Sequence, residues 1–436
     1  MFRYLQTHPC KQYFMIHPEP IQHETSTAPY IQANGNKKQP AFFLILLLGL
    51  LSTITPFSID MYLPAFPDIA SDLHTTIENV SLSVSTYFLG FALGQILYGP
   101  LLDRFGRKTP LYIGLMLYIA TTIGCTTCHT INSLLIMRFA QALGGCVASV
   151  AAFAMVQDFF PPRKSASVIS LLVLVIGLSP LLAPSAGSFV VSSFGWQYVF
   201  ILLAGITALL LVAVYFFLPQ GAPPDATVSL MPKPIITTFK GILFTPQFYV
   251  FALAGTFSFS GLFIYVAGSP AMFMDYFHLT AKQYGGVFAL LSVGFIGGSQ
   301  LNHVLTRKYS NQKIFATFLY IQFIASVLFA IAVISQLLSL AGHLVFLFVI
   351  LSCTGIGYPN AAAVALAPFT RKAGSASALL GFIQIGIGGL ISSAVGLIHA
   401  KGSLSIALSI AASCLIALLI YWLGRKKLGT AKDKEL

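Results

Sequence analysis

Twelve mostly apolar stretches, each about as long as the ~20 residues a helix needs to cross a bilayer, follow one another through this chain. Within hydrocarbon only helices and closed barrels satisfy their own backbone groups. The stretches are therefore predicted to be spanning helices, at residues 42–66, 80–101, 109–128, 133–157, 166–192, 196–218, 246–273, 284–305, 313–335, 341–366, 374–398 and 404–424. Only 8% of the residues are charged, against about 25% in soluble domains. The expected fold class is an all-α polytopic membrane protein.

The basic residues give the chain a direction. With the N-terminus inside, 21 of the 24 Lys and Arg residues fall in the tails and alternate loops of one side. Lys282 and Lys401 fall outside, and Arg138 falls within a span. Basic residues concentrate on the cytoplasmic side of spanning helices, so both termini are expected in the cytoplasm, with the chain in the inner (plasma) membrane. The same bias accounts for the net charge of +12 without a nucleic-acid partner. Residues 1–40 read as a disordered cytoplasmic extension, without the apolar core and cleavage site of a signal peptide. Six spans (41–218), a linker (219–245), six more spans (246–425) and a short tail (426–436) divide the rest. The terminal KDKEL string lies on a cytoplasmic tail, where a lumenal retention receptor would not read it.

Asp60 lies within the apolar run ILLLGLLSTITPFSIDMYLPAFPDIA, far from any Lys or Arg. A carboxylate at membrane depth costs ~2.5–3.5 kcal/mol on insertion scales, and the other acidic residues fit span ends, loops or tails. A buried acid of this kind points to proton or cation coupling, with Asp68 the next candidate. At 1.5 Å per residue, Asp60 stands roughly 27 Å from the inner end of span 1, and Arg138 about five residues from the outer end of span 4. Both are expected in the outer half, at similar height. An arginine there needs a carboxylate, backbone carbonyls or water; the plainer alternative is that it snorkels to the interface.

Three further strings carry pattern. GPLLDRFGRKTPL (99–111) follows span 2. Gly99 and Gly106 suit a tight reversal, while Asp103, Arg104, Arg107 and Lys108 mix charges where an anchor would need basic residues alone. AMVQDFFPPRK closes span 4 with Asp158 beside Arg163 and Lys164, a capping or interfacial charge on its own reading. GLSPLLAPSAGSF places Gly177, Pro180, Pro184 and Gly187 inside span 5. Interior prolines kink a helix, and small residues let a neighbour approach.

Over about residues 42–425 these strings together resemble the major facilitator superfamily. GPLLDRFGRKTPL is similar to its loop between spans 2 and 3, whose acid latches the two halves near the start of span 11, here Gly374. The resemblance implies a latch between Asp158 and Arg107. Arg138, Gln141 and Gly144 in LLIMRFAQALGGCVAS resemble its drug:proton antiporter motif, and the span 5 string resembles the kink of its exporters, with Ser179 and Ser188 in place of two glycines. Span 1 (Asp-Met-Tyr-Leu-Pro), the Pro-x-x-Ala-Pro-x-x-Gly form of span 5 and GSASALLGFIQ (374–384) resemble the Bcr/CflA subfamily. The implied architecture is two six-helix halves around a central cavity, with export driven by proton entry. Some members carry a second acid where this chain has Ser52, which would place more of the coupling on Asp60.

Spans 1, 2, 4, 5, 7, 8, 10 and 11 would line the cavity on this resemblance. Candidate liners are Tyr62, Tyr87, Gln95 and Gln141 from the first half, and Tyr265, Gln300, Asn360 and Gln384 from the second. Few charges among them favours neutral or amphipathic small-molecule cargo. CTTCH (125–129) matches a haem-attachment string, but its short loop offers no pocket, and the scattered cysteines read as packing residues. No HExxH, GxSxG or Walker loop points to an enzyme or an ATP-driven pump. No cofactor or metal is expected, and the partners are cargo, protons and lipid, with the chain a monomer. A dedicated exporter of one endogenous metabolite, an uptake symporter and a non-transporting receptor on the same fold are the alternatives.

Overall fold

A computed structural model of the chain describes residues 41–160, 162–226, 232–336, 338–369, 373–397 and 403–432. Twelve of its helices are long and apolar enough to cross a membrane. In the first half these are α1 (Ala41–Asp60), extended by a short α2 (Phe66–Asp72), then α3 (Ile77–Arg104), α4 (Lys108–Thr126), α5 (Ile131–Phe159), α6 (Pro162–Phe194) and α7 (Gln197–Phe217). After a short α8 (Pro232–Leu243) come α9 (Pro246–Pro270), α10 (Ala281–Leu305), α11 (Asn311–Ile334), α12 (Leu340–Leu366), α13 (Ala373–Leu397) and α14 (Leu404–Lys432). Side-chain caps start several of them: Thr130 with Ser133 and Thr280 with Gln283 form capping boxes at α5 and α10, satisfying first-turn N–H groups that lack a helical partner.

Each half packs within itself: α1 against α5, α6 and α7, and α5 against α3 and α4; likewise α9 against α12, α13 and α14, and α12 against α10 and α11. Corresponding glycines do the same work in the two halves. Gly90 and Gly94 let α3 lie directly on the α5 backbone and Cys146, and Gly294 and Gly298 let α10 lie on Phe348 and the Ser352 backbone of α12. Small residues four apart permit such close helix approach in a membrane. The halves meet along α3 with α13 and α6 with α10. Ser85 and Ser392 share a hydrogen bond of 2.9 Å, Phe88 and Phe263 stack edge-on at 4.5 Å, and Gly285 sits against Pro184 and Ser185.

Two features depart from the sequence expectations. Span 1 is not one helix over 42–66: α1 stops at Asp60, a turn and a 3-10 segment (Leu63–Ala65) follow, and α2 resumes at Phe66. Pro64 and Pro67 cannot donate backbone hydrogen bonds, which weakens the helix here and favours a break; elsewhere α6 runs on through Pro180 and Pro184. The 219–245 segment, which reads in sequence as a linker alone, contains α8, which begins at Pro232 and buries Ile242.

Candidate functional site: Asp60, Arg138 and the basic loop

The break in span 1 organises the site. A helix end leaves its last four carbonyls without helical partners. At the end of α1 the Phe57 carbonyl takes Met61 N, and the Ser58 carbonyl instead accepts Arg138 Nη2 at 2.9 Å. Arg138 therefore caps α1, where the helix dipole favours a cation. Its Nη1 donates to Gln141 Oε1 at 2.6 Å, and Gln141 Nε2 in turn donates to Thr122 Oγ1 at 2.8 Å. The guanidinium lies over the rings of Tyr87 (4.4 Å), Tyr62 (4.6 Å) and Phe200 (5.9 Å), a cation–π arrangement that offsets desolvation. Arg138 is 0% exposed, which excludes the snorkelling alternative.

Arg138 and Asp60 share a height, as counting along the helices suggests, yet no carboxylate pairs with Arg138 among the described residues. The reason is azimuth. At 3.6 residues per turn, positions two apart on a helix point about 200° away from each other. Ser58 faces the first half, where its Oγ meets the Tyr118 hydroxyl at 2.5 Å; Asp60 faces the second.

Asp60 lines a cavity of about 150 Å³ between the halves, bounded by Pro56 and Ile59 of α1, Phe88 of α3, Pro180 of α6, Tyr265 of α9 and Phe288 of α10. It is 5% exposed and has no hydrogen-bond or ion-pair partner among the described residues. Among the described residues no other charged side chain lines this cavity, and the buried Tyr265 hydroxyl is also without a hydrogen bond. A second cavity of about 300 Å³ shares Pro56 and Ile59 and continues toward the basic-loop end past Ser52, Thr55 and Gln95.

The span 5 motif supports this geometry unevenly. Gly187 lies flush against the Met61 backbone, the residue after Asp60, while Pro180 lines the Asp60 cavity and its carbonyl is approached by Ser292 Oγ at 3.5 Å. Pro184 backs Gly285 of the other half, and Gly177 has nothing within 4 Å of where a side chain would start.

At the basic-loop end Arg107 joins three segments. Its Nη1 reaches Asp103 Oδ1 at 2.6 Å, its Nε reaches Asp158 Oδ2 at 2.9 Å, and its Nη2 reaches Asp158 Oδ1 at 3.3 Å. Burial works against the guanidinium charge, but its hydrogen bonds to Asp158 and Asp103 and the attraction of those carboxylates outweigh it and raise its pKa above the ordinary arginine value. Asp158 Oδ2 also accepts from Ala222 N at 2.9 Å, and the Asp103 carbonyl accepts from Asp225 N at 3.1 Å, so the chain just past α7 closes over the pair. Gly106 turns the loop at φ +79° beneath Pro224. Arg104 and Lys108 are half-buried, and Gly99 has no neighbour within 4 Å. The approach of Asp103 to the first turn of α13 lies outside the described residues, which omit Arg371 and Lys372.

The candidate cavity liners separate into groups. Tyr265 and Gln95 line the two cavities. Tyr62, Tyr87 and Gln141 surround Arg138 instead, because their helix faces turn into the first half. Asn360 donates to Asn302 Oδ1 at 2.6 Å, Gln384 accepts from the Tyr358 hydroxyl, and Gln300 is exposed and lines neither cavity. Sequence reasoning missed the aromatic walls Phe88, Phe263 and Phe288, which look like ordinary lipid-facing residues in a chain with 37 phenylalanines. It also missed Gly221, packed against Arg107 and Asp158; the Gly-Ala-Pro-Pro string carried only a linker signal.

Twelve spanning helices in two six-helix halves around a shared, nearly uncharged cavity define a polytopic transporter architecture. The chain belongs to the Major Facilitator Superfamily, whose model matches residues 48–393. A bicyclomycin resistance protein homolog of Haemophilus influenzae is 28% identical over 389 residues, covering 89% of this chain and 97% of that protein. The multidrug resistance protein MdtL of Escherichia coli is 30% identical over 346 residues, covering 79% and 85%. These relatives agree with the Bcr/CflA resemblance of spans 1 and 5. Among solved structures, a D-xylose-proton symporter superposes with a TM-score of 0.69 at 14% identity, covering 88% of this chain and 98% of that one. An inward-facing, occupied bacterial homolog of the lysosomal transporter Spinster gives 0.66 at 16%, covering 90% and 98%. At that identity the structural likeness concerns the fold.

Proposed function

We propose that this transporter is a proton-driven antiporter that exports small neutral or amphipathic molecules, drugs among them, with Asp60 as the proton-carrying group. The observation that carries the reading is Asp60 itself, among the described residues the one charged side chain lining the cavity between the halves. An unpaired carboxylate at membrane depth costs ~2.5–3.5 kcal/mol, so the cavity closes more readily on the protonated group. With the basic loops in the cytoplasm, Asp60 takes a proton when the cavity faces outward and releases it inward. Cargo occupies the aromatic walls in the alternate step. The multidrug and bicyclomycin resistance names of the relatives support drug-like cargo. On this reading Arg138 holds the bend that aims Asp60, and Arg107 with Asp158 and Asp103 latches the inner end.

The test uses proteoliposomes with an imposed pH gradient. Asp60→Asn is expected to abolish gradient-driven accumulation while leaving cargo binding in place, and Asp60→Glu to keep part of it. If Asp60→Asn concentrates cargo against its gradient as well as wild type, Asp60 is not the coupling site.

A further inference from the structure

From Tyr276 through Lys432 the sequence contains no Asp or Glu, while basic residues recur along it. At the basic-loop end of the second half these cations therefore have no carboxylate of their own segment to pair with. The first-half acids Asp103 and Asp158 at this end are engaged with Arg107. Two of the second-half cations, Lys313 and Arg425, line a single cavity of about 750 Å³ between the α10–α11 turn, the start of α11 and the end of α14. Arg307 and Lys308 are exposed on the adjoining turn.

We propose that this cavity is a binding site for the phosphate headgroup of an anionic phospholipid. Each part of such a lipid has a place. Lys313 and Arg425 supply charge for the phosphate, and Ser310, Thr317 and Tyr421 supply hydroxyls. The first turn of α11 opens there as well, with Ser310 Oγ accepting from Lys313 N, and helix N-termini favour anions. Leu305, Ile314 and Phe318 form an apolar floor. Below Thr317 the exposed residues Ile321, Ile324 and Leu328 continue at helical spacing, an apolar strip running toward the bilayer centre for an acyl chain. That strip is what a soluble phosphate would not need. Basic pockets between spanning helices are recognised by their attraction for acidic headgroups.

The chain carries its own reporter. Trp422 is 53% exposed beside Tyr421, while Trp196, one of only two tryptophans, is buried in the first half. The full-length protein is reconstituted in phosphatidylcholine with increasing fractions of acyl-brominated phosphatidylglycerol or, separately, acyl-brominated phosphatidylcholine, and tryptophan quenching is read. The expected result is half-maximal quenching at a lower mole fraction of phosphatidylglycerol. At roughly 1 kcal/mol per basic residue, each of Lys313→Gln and Arg425→Gln lowers that preference about fivefold. Lys313→Arg keeps it, and so does Lys282→Gln, which alters a cation in the first turn of α10, at the other end of that helix from the cavity. The proposal is overturned if wild type shows no preference, if the Lys313→Gln/Arg425→Gln pair retains it, or if Lys313→Arg loses it. It is also overturned if millimolar inorganic phosphate removes it in wild type, because the site would then serve a soluble anion.

Discussion

Gly177 and Gly187 belong to one motif and one helix, but only Gly187 touches anything where a side chain would begin. A Cβ at Gly187 would overlap the Met61 carbonyl oxygen and stand 2.8 Å from its carbon and 3.1 Å from Met61 Cα. Ordinary carbon contacts lie at about 3.5–4.0 Å, so α6 or the bend after Asp60 would have to give way by roughly 1 Å. Both positions are interior to α6, so the helix-propensity gain of Gly→Ala, roughly 0.5–1 kcal/mol, applies to each and cancels between them. What remains is the steric term, about 1–3 kcal/mol for a forced core insertion. Gly187→Ala is therefore expected to melt below Gly177→Ala, measured as apparent Tm in detergent at a fixed scan rate because membrane-protein unfolding is often irreversible. It should also lose transport, since the residue displaced adjoins Asp60, whereas Gly177→Ala should keep it. If Gly187→Ala matches Gly177→Ala in both Tm and transport, α6 does not fix the Asp60 bend.

Asp158→Asn is expected to slow transport more than Asp103→Asn, because Asp158 is largely buried against Arg107 and Ala222 while Asp103 is 54% exposed and worth at most about 1 kcal/mol; transport rates normalised to membrane protein check the order, and a fully active double variant would sink the latch. Gly221→Val should weaken the same latch, since a Cβ there meets Arg107 Cγ at 2.5 Å and Asp158 Oδ2 at 2.7 Å; an unchanged rate would show that the 220–225 segment is only a tether. For Arg138, substitution by Lys should fail to rescue what Ala destroys, because a single ammonium cannot bridge Gln141 and the Ser58 carbonyl together; wild-type transport in Arg138→Lys would refute the capping role. Cysteines introduced at Asn79 and Ser193 in a cysteine-free background should label from outside with an impermeant reagent, and labelling at Ser310 from outside would reverse the proposed orientation.

The twelve spans were legible because apolar length is a one-dimensional signal that lipid enforces. The break after Asp60 left a weaker trace: Pro64 and Pro67 favour a kink or a break, but Pro180 and Pro184 carry the same signal in α6, which runs on unbroken. α8 also carried a signal. Proline suits the first helical position, and Ile235, Ile236, Phe239, Ile242 and Leu243 recur at helical spacing. What one sequence does not hold is azimuth. Counting residues gives the shared height of Asp60 and Arg138, but the direction of each depends on how α1 is rotated between α5, α6 and α7. The same limit scattered the polar cavity candidates: Tyr62 and Gln141 are as polar as Tyr265, yet they turn into the first half.

The separation of the two charges changes what each can do. A guanidinium beside Asp60 would hold it ionised and would have to be displaced in every cycle. Here the arginine is held without any carboxylate among the described residues: its two terminal nitrogens donate to an amide and a helix end and three aromatic faces surround it, all within one half, with only Nε left without a hydrogen bond. Its environment need not change when the halves rock, because none of those partners belongs to the other half. Asp60 has the opposite situation: its walls come from both halves, so any rocking alters its surroundings directly. On the proposed coupling, a cation that caps the bend within one half and a carboxylate whose walls come from both halves would let conformational change act on the carboxylate alone.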